Sequence, residues 1–506
     1  MSVHHRNSVT ETTAPYQPLS QVETPEVHPS TPLLLSEDEE VALAEDFVAQ
    51  ERVASHDWRI WWIHFILGCA ILLPWNALIT ATPYFMSRLE GTSLQSTFSS
   101  YLSTTFTIAN FLFLAHATAT TQQATNSRRV KISLAHLTVL SFLLTLSTFI
   151  NTLPGLFFAF VMLNGIIQAA AGSYLQTSVI AVASLFGPTA IQAIMSGQAA
   201  IGVAVSAVEV LSSMASIRAA PTPEAIAASQ PEARAAFIFF GLSTIFLVLS
   251  IGAHIWLTKL PAYMAIMEQY SHTKDIPHSH SRHPSLSDEP QTPVAESQSH
   301  VPGEKKHQLI RVAKSNLIYN LAVAYVFIIT LAVFPPITIS IKPTNPATHP
   351  LVFSTVHFLV FNVGDWLGRY ICSFPRLLVW SARRLLSFSV ARTLFIPIFL
   401  MCNIQRSSTV SAASQAIISS DLLYMFILLL FGLTNGYVSS LCMMAAPSVE
   451  HNPRLKGRLE DVDVAATVAS FCLVGGLAVG SFTSFGVKAA IVYFSEFLEL
   501  TWDNTL

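Results

Sequence analysis

The run VFNVGDWLGRY places Asn362, Asp365 and Arg369 inside an otherwise apolar stretch, and these three residues carry the strongest chemical signal in the sequence. At about 100° per residue on a helix they fall within an arc of roughly 60°, and the spacing of Asp365 and Arg369 lets them pair. One face then presents a carboxylate acceptor and a forked cationic donor. Two readings stay open: a mutually neutralising pair that pins the helix to its neighbours, or a polar lining that binds a solute in a cavity. An ion pair buried against hydrocarbon gains little over apolar residues, which favours the second. Gly364 and Gly368 add a small-residue face suited to close helix packing.

A second unusual stretch, LLPWNALITATPYF, sets Pro74, Trp75 and Asn76 in the middle of an apolar run. Proline deprives the carbonyl of Ala70 of its helical donor, and a buried asparagine needs partners. Irregular backbone at membrane depth is tolerated where it is buried in protein or faces a cavity. Trp75 is therefore expected to face solute, with Pro74 and Asn76 as structural support and Asn76 bonded to a neighbouring helix. In AAAGSYLQTS, Gly172 precedes Gln176 by one turn, and that amide reads equally as an interhelical bond or a ligand contact. Ser196, Gly197, Gly202 and Ser206 read as a tight packing surface, and Asn435, Gly436 and Pro447 as a packing and hinge element. The sequence has no glycine-rich phosphate loop with its lysine, no HExxH and no GxSxG. Enzymatic and ATP-driven chemistry is disfavoured, and neither cofactor nor metal is expected.

The elements that must position these residues are membrane helices. Of 506 residues, 52% are hydrophobic and only 11% charged, against roughly 25% charged in soluble chains. The apolar runs are about 20 residues long, the length that crosses a hydrocarbon core. Eleven candidate spans begin near Trp61, Phe98, Ile132, Leu156, Ala190, Ala236, Ser315, Leu351, Leu386, Leu422 and Val464. Basic residues concentrate in alternate connections, at Arg128, Arg129 and Lys131, at Lys259, Lys305, Lys306, Arg311 and Lys314, at Arg376, Arg383 and Arg384, and at Arg454, Lys456 and Arg458. This bias predicts a cytosolic amino terminus. The expected division is a disordered cytosolic tail over 1–56, a six-helix bundle over 57–260, a disordered cytosolic loop over 261–312 and a five-helix bundle over 313–506.

Other features bound the partners. The net charge of −3 says little about partners, but the lack of a basic stripe speaks against nucleic acid, leaving membrane lipid as the expected surroundings. The five cysteines all fall in predicted spans, so no structural disulfide is expected. PLLLSEDEE puts Leu33, Leu34 and Leu35 before an acidic cluster, a candidate sorting signal. Ser285 and Ser287 are candidate sites for kinases. His272, His278, His280 and His283 sit in a Ser/Pro/His-rich tract that reads as disorder rather than a metal site.

Taken in order, GCAILLPWNALITATPYF, GSYLQTS, MSGQ, FNVGDWLGR and NGYVSSLCMMAAP resemble the equilibrative nucleoside transporter family. The resemblance implies an all-α polytopic fold of eleven transmembrane helices, a major-facilitator-like 6+5 arrangement, and a cytosolic amino terminus. It implies facilitated diffusion of nucleosides, and in some members nucleobases, by alternating access through a central site. The family's substrate site falls on Trp75 and Ile79, on Gly172 and Gln176, and on Asp365 and Arg369 supported by Asn362. Ile108 and Phe111 are further candidate contacts, although TIANFLFL departs from the usual pattern. Ala70 stands where the family often has a second glycine, and SLFGPTA replaces its PAS element. Proton coupling and another polar solute on the same scaffold are the alternative readings. A monomer in a vacuolar, endosomal or plasma membrane is expected.

Overall fold

The computed structural model describes residues 37–55, 57–219, 231–275, 302–335, 337–345, 348–403 and 417–503. The leucine cluster Leu33 to Leu35, Ser285, Ser287, His278, His280 and His283 lie outside the described residues. The chain is all-helical there: α1 Glu37–Ser55, α2 Trp58–Thr80, α3 Thr82–Arg88, α4 Phe98–Ala119, α5 Gln123–Ser147, α6 Pro154–Ser184, α7 Pro188–Ala219 and α8 Pro231–Leu257. It continues with α9 Pro261–Asp275, α10 Pro302–Ser315, α11 Leu317–Val333, α12 Pro350–Ile371, α13 Ala382–Ala391, α14 Phe395–Leu400, α15 Asp421–Ala445 and α16 Val462–Asp503. Proline opens α6, α7, α8 and α12, the first-turn position where its missing N–H costs nothing.

Eight of the described helices are long and apolar enough to cross a membrane: α2, α5, α6, α7, α8, α12, α15 and α16. A ninth span arises if α10 and α11, bent by 73° at Asn316, count as one. The bend is held by polar bonds: buried Asn316 donates to the Ala446 carbonyl at 2.9 Å, and Asn452 donates to Asn316 Oδ1 at 2.9 Å. Helix α4 is long enough but rich in Ser and Thr, and residues 382–400 are broken by a 3-10 turn over Arg392–Leu394.

The helices pack as two halves. In the first, α2 packs along α7, and α5 packs against α6 and α8; in the second, α12 packs along α15 and α11 along α16. Glycines set the closest approaches. A Cβ at Gly68 or Gly197 would strike the partner backbone between α2 and α7, and one at Gly368 or Gly432 would do so between α12 and α15. The halves meet where α7 packs on α12 and α15, and where α16 packs on α6 and α4.

Two stretches expected to be disordered contain helices. Residues 37–55 form α1, because Phe47 and Ala54 are buried and give the polar segment an anchor. The segment 261–312 holds α9 and α10, with Ile266 and Tyr270 buried in the core shared with α1 and α2. At the same end, Arg52 of α1 pairs with Glu450 at 2.6 Å, and Arg311 of α10 pairs with Asp461 at 2.9 Å. Glu51 packs on Gly187, whose φ of +86° turns the chain from α6 into α7 and leaves no room there for a side chain.

Candidate functional site

A cavity of about 340 Å³ lies between the halves, walled by α2, α4 and α6 on one side and α11 and α16 on the other. Pro74 and Trp75 face it, and Trp75 stacks on Phe106 of α4 with ring centroids 4.1 Å apart and planes 26° apart. Helix α2 runs through Pro74 unbroken, and Asn76 Nδ2 donates to the Leu72 carbonyl at 2.9 Å. Asn76 thus reinforces its own helix beside the proline instead of bonding to a neighbouring one.

Gly172 opens the α6 wall: a Cβ there would meet nothing within 4 Å. Gln176, one turn deeper toward the α1 end, donates from Nε2 to Ser470 Oγ of α16 at 2.9 Å. Phe111 approaches Phe471 with centroids 5.4 Å apart. These two cross-half contacts lie on the α1 side of the cavity. None of the lining residues is charged.

The structure separates the sequence-predicted residues into two groups. Pro74, Trp75, Phe111, Gly172 and Gln176 line the cavity, whereas Asn76, Ile79, Ile108, Asn362, Asp365 and Arg369 are not among its lining residues. Ile79 lies a turn beyond the lining part of α2 and is 42% exposed. Ile108 is 55% exposed because Thr107, Asn110 and Phe111 form the lining face of α4, and Ile108 turns away from it.

Asp365 and Arg369 do pair, with Arg369 Nε donating to Asp365 Oδ2 at 2.9 Å and both residues 6% exposed. The pair belongs to a larger network. Asn435 Nδ2 donates to Asp365 Oδ1 at 2.6 Å, across the glycine crossing of α12 and α15. Asn435 Oδ1 accepts from Thr330 at 2.7 Å and from Arg392 Nη2 at 3.4 Å. Arg392, 2% exposed, also donates to the Phe431 carbonyl at 3.0 Å, to Thr330 at 2.9 Å and to Thr434. Arg369 reaches across to the first half by donating to the Met195 carbonyl of α7 at 3.1 Å. Gln192 of α7 returns bonds to the Arg369 carbonyl at 3.0 Å and to Ser373 at 2.9 Å. Asn362 donates to Ser206 of α7 at 2.6 Å, in the space that Gly202 leaves.

Sequence reasoning missed Phe106, Gln168, Gln192, Arg392 and Ser470. Gln168 had a readable signal, because it precedes Gly172 and Gln176 at four-residue steps on one helix. Arg392 is a buried charge hidden where the helix over 382–400 breaks at a 3-10 turn.

A multi-pass helical chain with an uncharged, amide-bearing chamber between two halves has the build of a membrane transporter and shows no catalytic arrangement among the described residues. The comparisons with known proteins narrow that class. Residues 161–489 match the model of the nucleoside transporter family. The chain is 26% identical over 473 residues to equilibrative nucleoside transporter 1 of Homo sapiens, covering 85% of this chain and 97% of that protein. It is 28% identical over 468 residues to equilibrative nucleoside transporter 2 of Mus musculus, covering 84% and 96%. With the nucleoside transporter FUN26 of Saccharomyces cerevisiae it shares 26% over 445 residues, covering 83% and 82%. Among solved structures it is similar to the fucose:proton symporter FucP of E. coli, at a TM-score of 0.46 and 12% identity, covering 86% of this chain and 98% of that one. The chain belongs to the nucleoside transporter family.

Proposed function

We propose that the chain carries nucleosides across a membrane by facilitated diffusion, the solute occupying the chamber beside Trp75, Gly172 and Gln176. One observation carries the reading: the chamber offers an aromatic platform and carboxamides but no charge. Its size is within the roughly 300–1,000 Å³ of small-ligand sites. A neutral heteroaromatic glycoside matches such a lining, through stacking and hydrogen bonds to neutral groups. A nucleotide would bring its phosphate into a chamber without a counter-charge.

The rest of the reading follows from the helices. Counting α4, the bent pair and the broken 382–400 segment as spans gives eleven, divided as a six-helix bundle over 57–260 and a five-helix bundle over 313–506. The basic connections sit at the α1 end, which supports a cytosolic amino terminus. The chamber is then shut on the cytosolic side by the Gln176–Ser470 and Phe111–Phe471 contacts. Asp365 and Arg369, supported by Asn362, take their turn as the halves rock. When α7 parts from α12, Arg369 loses the Met195 carbonyl and can bond a solute hydroxyl instead.

Uptake of labelled uridine and adenosine into proteoliposomes tests the proposal. Saturable uptake that is indifferent to a pH gradient, with uridine monophosphate excluded, is expected. Uptake that follows the gradient would replace facilitated diffusion by proton coupling. Absence of uptake for every nucleoside tried would sink the reading, and competition by a panel of sugars and other ribosides would then identify the solute class.

A further inference from the structure

The chamber wall contains a buried hydrogen-bond acceptor that the protein itself leaves unanswered. Gln168 of α6 borders the chamber and is 2% exposed. Its amide orientation is fixed by a relay. The Leu140 carbonyl can only accept, so Asn164 presents Nδ2 to it, at 3.1 Å, and turns Oδ1 toward Gln168. That oxygen accepts in turn, so Gln168 spends Nε2 on it, at 2.6 Å. That leaves the second Nε2 hydrogen and Oε1, and among the described residues the buried Oε1 has no hydrogen-bond partner.

A buried carbonyl without a donor destabilises a protein, and such groups are rare enough to need a reason. The place of Gln168 on the chamber wall supplies one: Oε1 is covered in this conformation and lies where a solute would meet it as the chamber opens. Gln168, Gly172 and Gln176 follow one another at single turns of α6, so a solute over the open space at Gly172 lies between two amides. Gln176 already donates to Ser470, whereas Gln168 keeps an acceptor that has no partner among the described residues.

We propose that Gln168 Oε1 accepts a hydrogen bond from the transported solute and selects solutes that place an N–H or O–H donor at that point. The inference rests on the chamber being the nucleoside site. A donor-lacking analogue would bury the carbonyl again without a partner, so it is discriminated more strongly than its size requires. The donor belongs either to the base or to the ribose, and the chemistry at Gln168 is the same for both.

The test compares uptake by the wild-type chain and by Gln168→Met, using uridine, N3-methyluridine and the 2′-, 3′- and 5′-deoxyuridines. The wild type is expected to penalise one analogue by about tenfold in kcat/KM. In Gln168→Met, uridine itself should fall by a similar factor, and the further penalty on that one analogue should shrink to less than about twofold. Collapse on N3-methyluridine assigns the donor to the base, and collapse on a deoxyuridine assigns it to the ribose. Because Gln168→Met strands Asn164 Oδ1, the double variant Asn164→Leu/Gln168→Met serves if the single one does not reach the membrane. Substrate-induced shifts of its melting temperature in detergent read binding without flux. A wild type without any donor penalty, or variants that keep the wild-type analogue profile, would overturn the assignment of Gln168 while leaving nucleoside transport intact. A wild type that moves no nucleoside would defeat both.

Discussion

Removing the Asp365 carboxylate should destabilise the protein more than removing either arginine tied to it. Two guanidiniums, Arg369 and Arg392, are buried at 6% and 2% exposure and share this one carboxylate. Arg369 bonds it directly at 2.9 Å, and Arg392 is linked to it through Asn435, which donates to Asp365 at 2.6 Å. Asp365→Leu leaves both cations without an answering charge, and breaking a buried pair in this way costs about 3–5 kcal/mol. Arg392→Met keeps the Asp365–Arg369 pair intact. It forfeits the bonds to Phe431, Thr330 and Thr434, each worth about 1 kcal/mol net, but it also removes the desolvation cost of a charge. Its net cost is therefore expected at about 0–2 kcal/mol.

Melting of the purified variants in one detergent at one heating rate ranks these effects, since irreversible membrane-protein melting is meaningful only under matched conditions. The expected order of decreasing stability is wild type, Arg392→Met, Arg369→Leu, then Asp365→Leu. The double variant Asp365→Leu/Arg392→Met should be more stable than Asp365→Leu alone, because it leaves one stranded guanidinium instead of two. Arg392→Met melting as low as Asp365→Leu, or a double variant that simply adds the two losses, would refute the charge-balance argument. Arg392 does not line the chamber, so Arg392→Met should also retain uptake.

Two further perturbations probe the contacts between the halves and the docking of α1. Burial, with Glu450 beside it and Arg52 opposing, pushes the Glu51 carboxyl up from 4.5 to about 8. Docked α1 therefore keeps a proton that undocked α1 loses: its docking is strongest below pH 4.5, weakens as the pH rises, and carries the full penalty above about 8, on the order of 5 kcal/mol. Protection of the 37–55 amides, taken relative to the base-catalysed intrinsic exchange rate at each pH, should thus be lower at pH 9 than at pH 6, and Glu51→Gln should remove most of that difference; an unchanged pH dependence of protection in the variant counts against the mechanism. On the side away from α1, Ser213 Oγ and Thr355 Oγ1 lie 3.0 Å apart between α7 and α12. Two such short side chains suit a disulfide, so oxidised Ser213→Cys/Thr355→Cys should stop uptake and reductant should restore it. Full uptake with the crosslink verified by mass spectrometry would show that this contact does not open during transport.

The residues legible from sequence were those whose chemistry conflicts with their surroundings. Pro74, Trp75 and Gln176 stood out in apolar runs, and the structure places all three on the chamber wall. The same logic found the Asp365–Arg369 pair but not its third charged member. Arg392 is adjacent in space only because Gly364, Gly368, Gly432 and Gly436 let α12 and α15 touch backbone to backbone, which brings Asn435 between the two. Phe106 and Ser470 gave no signal, since an aromatic or a serine in a membrane helix is ordinary. Helix α1 was hidden for the opposite reason: its polar composition resembles a solvated tail, and only packing of Phe47 and Ala54 against the rest of the chain orders it.

The polar contacts divide by what they join, and that division bears on how the halves can move. Within the second half, Asp365, Asn435, Arg392 and Thr330 form a network of charge-assisted bonds across a glycine crossing that tolerates no separation. Between the halves the bonds are of another kind: Gln176 to Ser470, Gln192 to Ser373, Asn362 to Ser206 and Arg369 to the Met195 carbonyl. Each of these meets a neutral hydroxyl or carbonyl, contributes about 1 kcal/mol net or somewhat more where charge assists, and can be exchanged for water or solute. Under the proposed function, a solute that engages the Gln176 amide would replace the Ser470 bond at little cost and so loosen the α1 side only once the chamber is filled. The second half is thus held by charge-assisted contacts that are costly to break, and the surface between the halves by neutral-partner contacts that, under the proposed function, a neutral, donor-bearing solute would substitute.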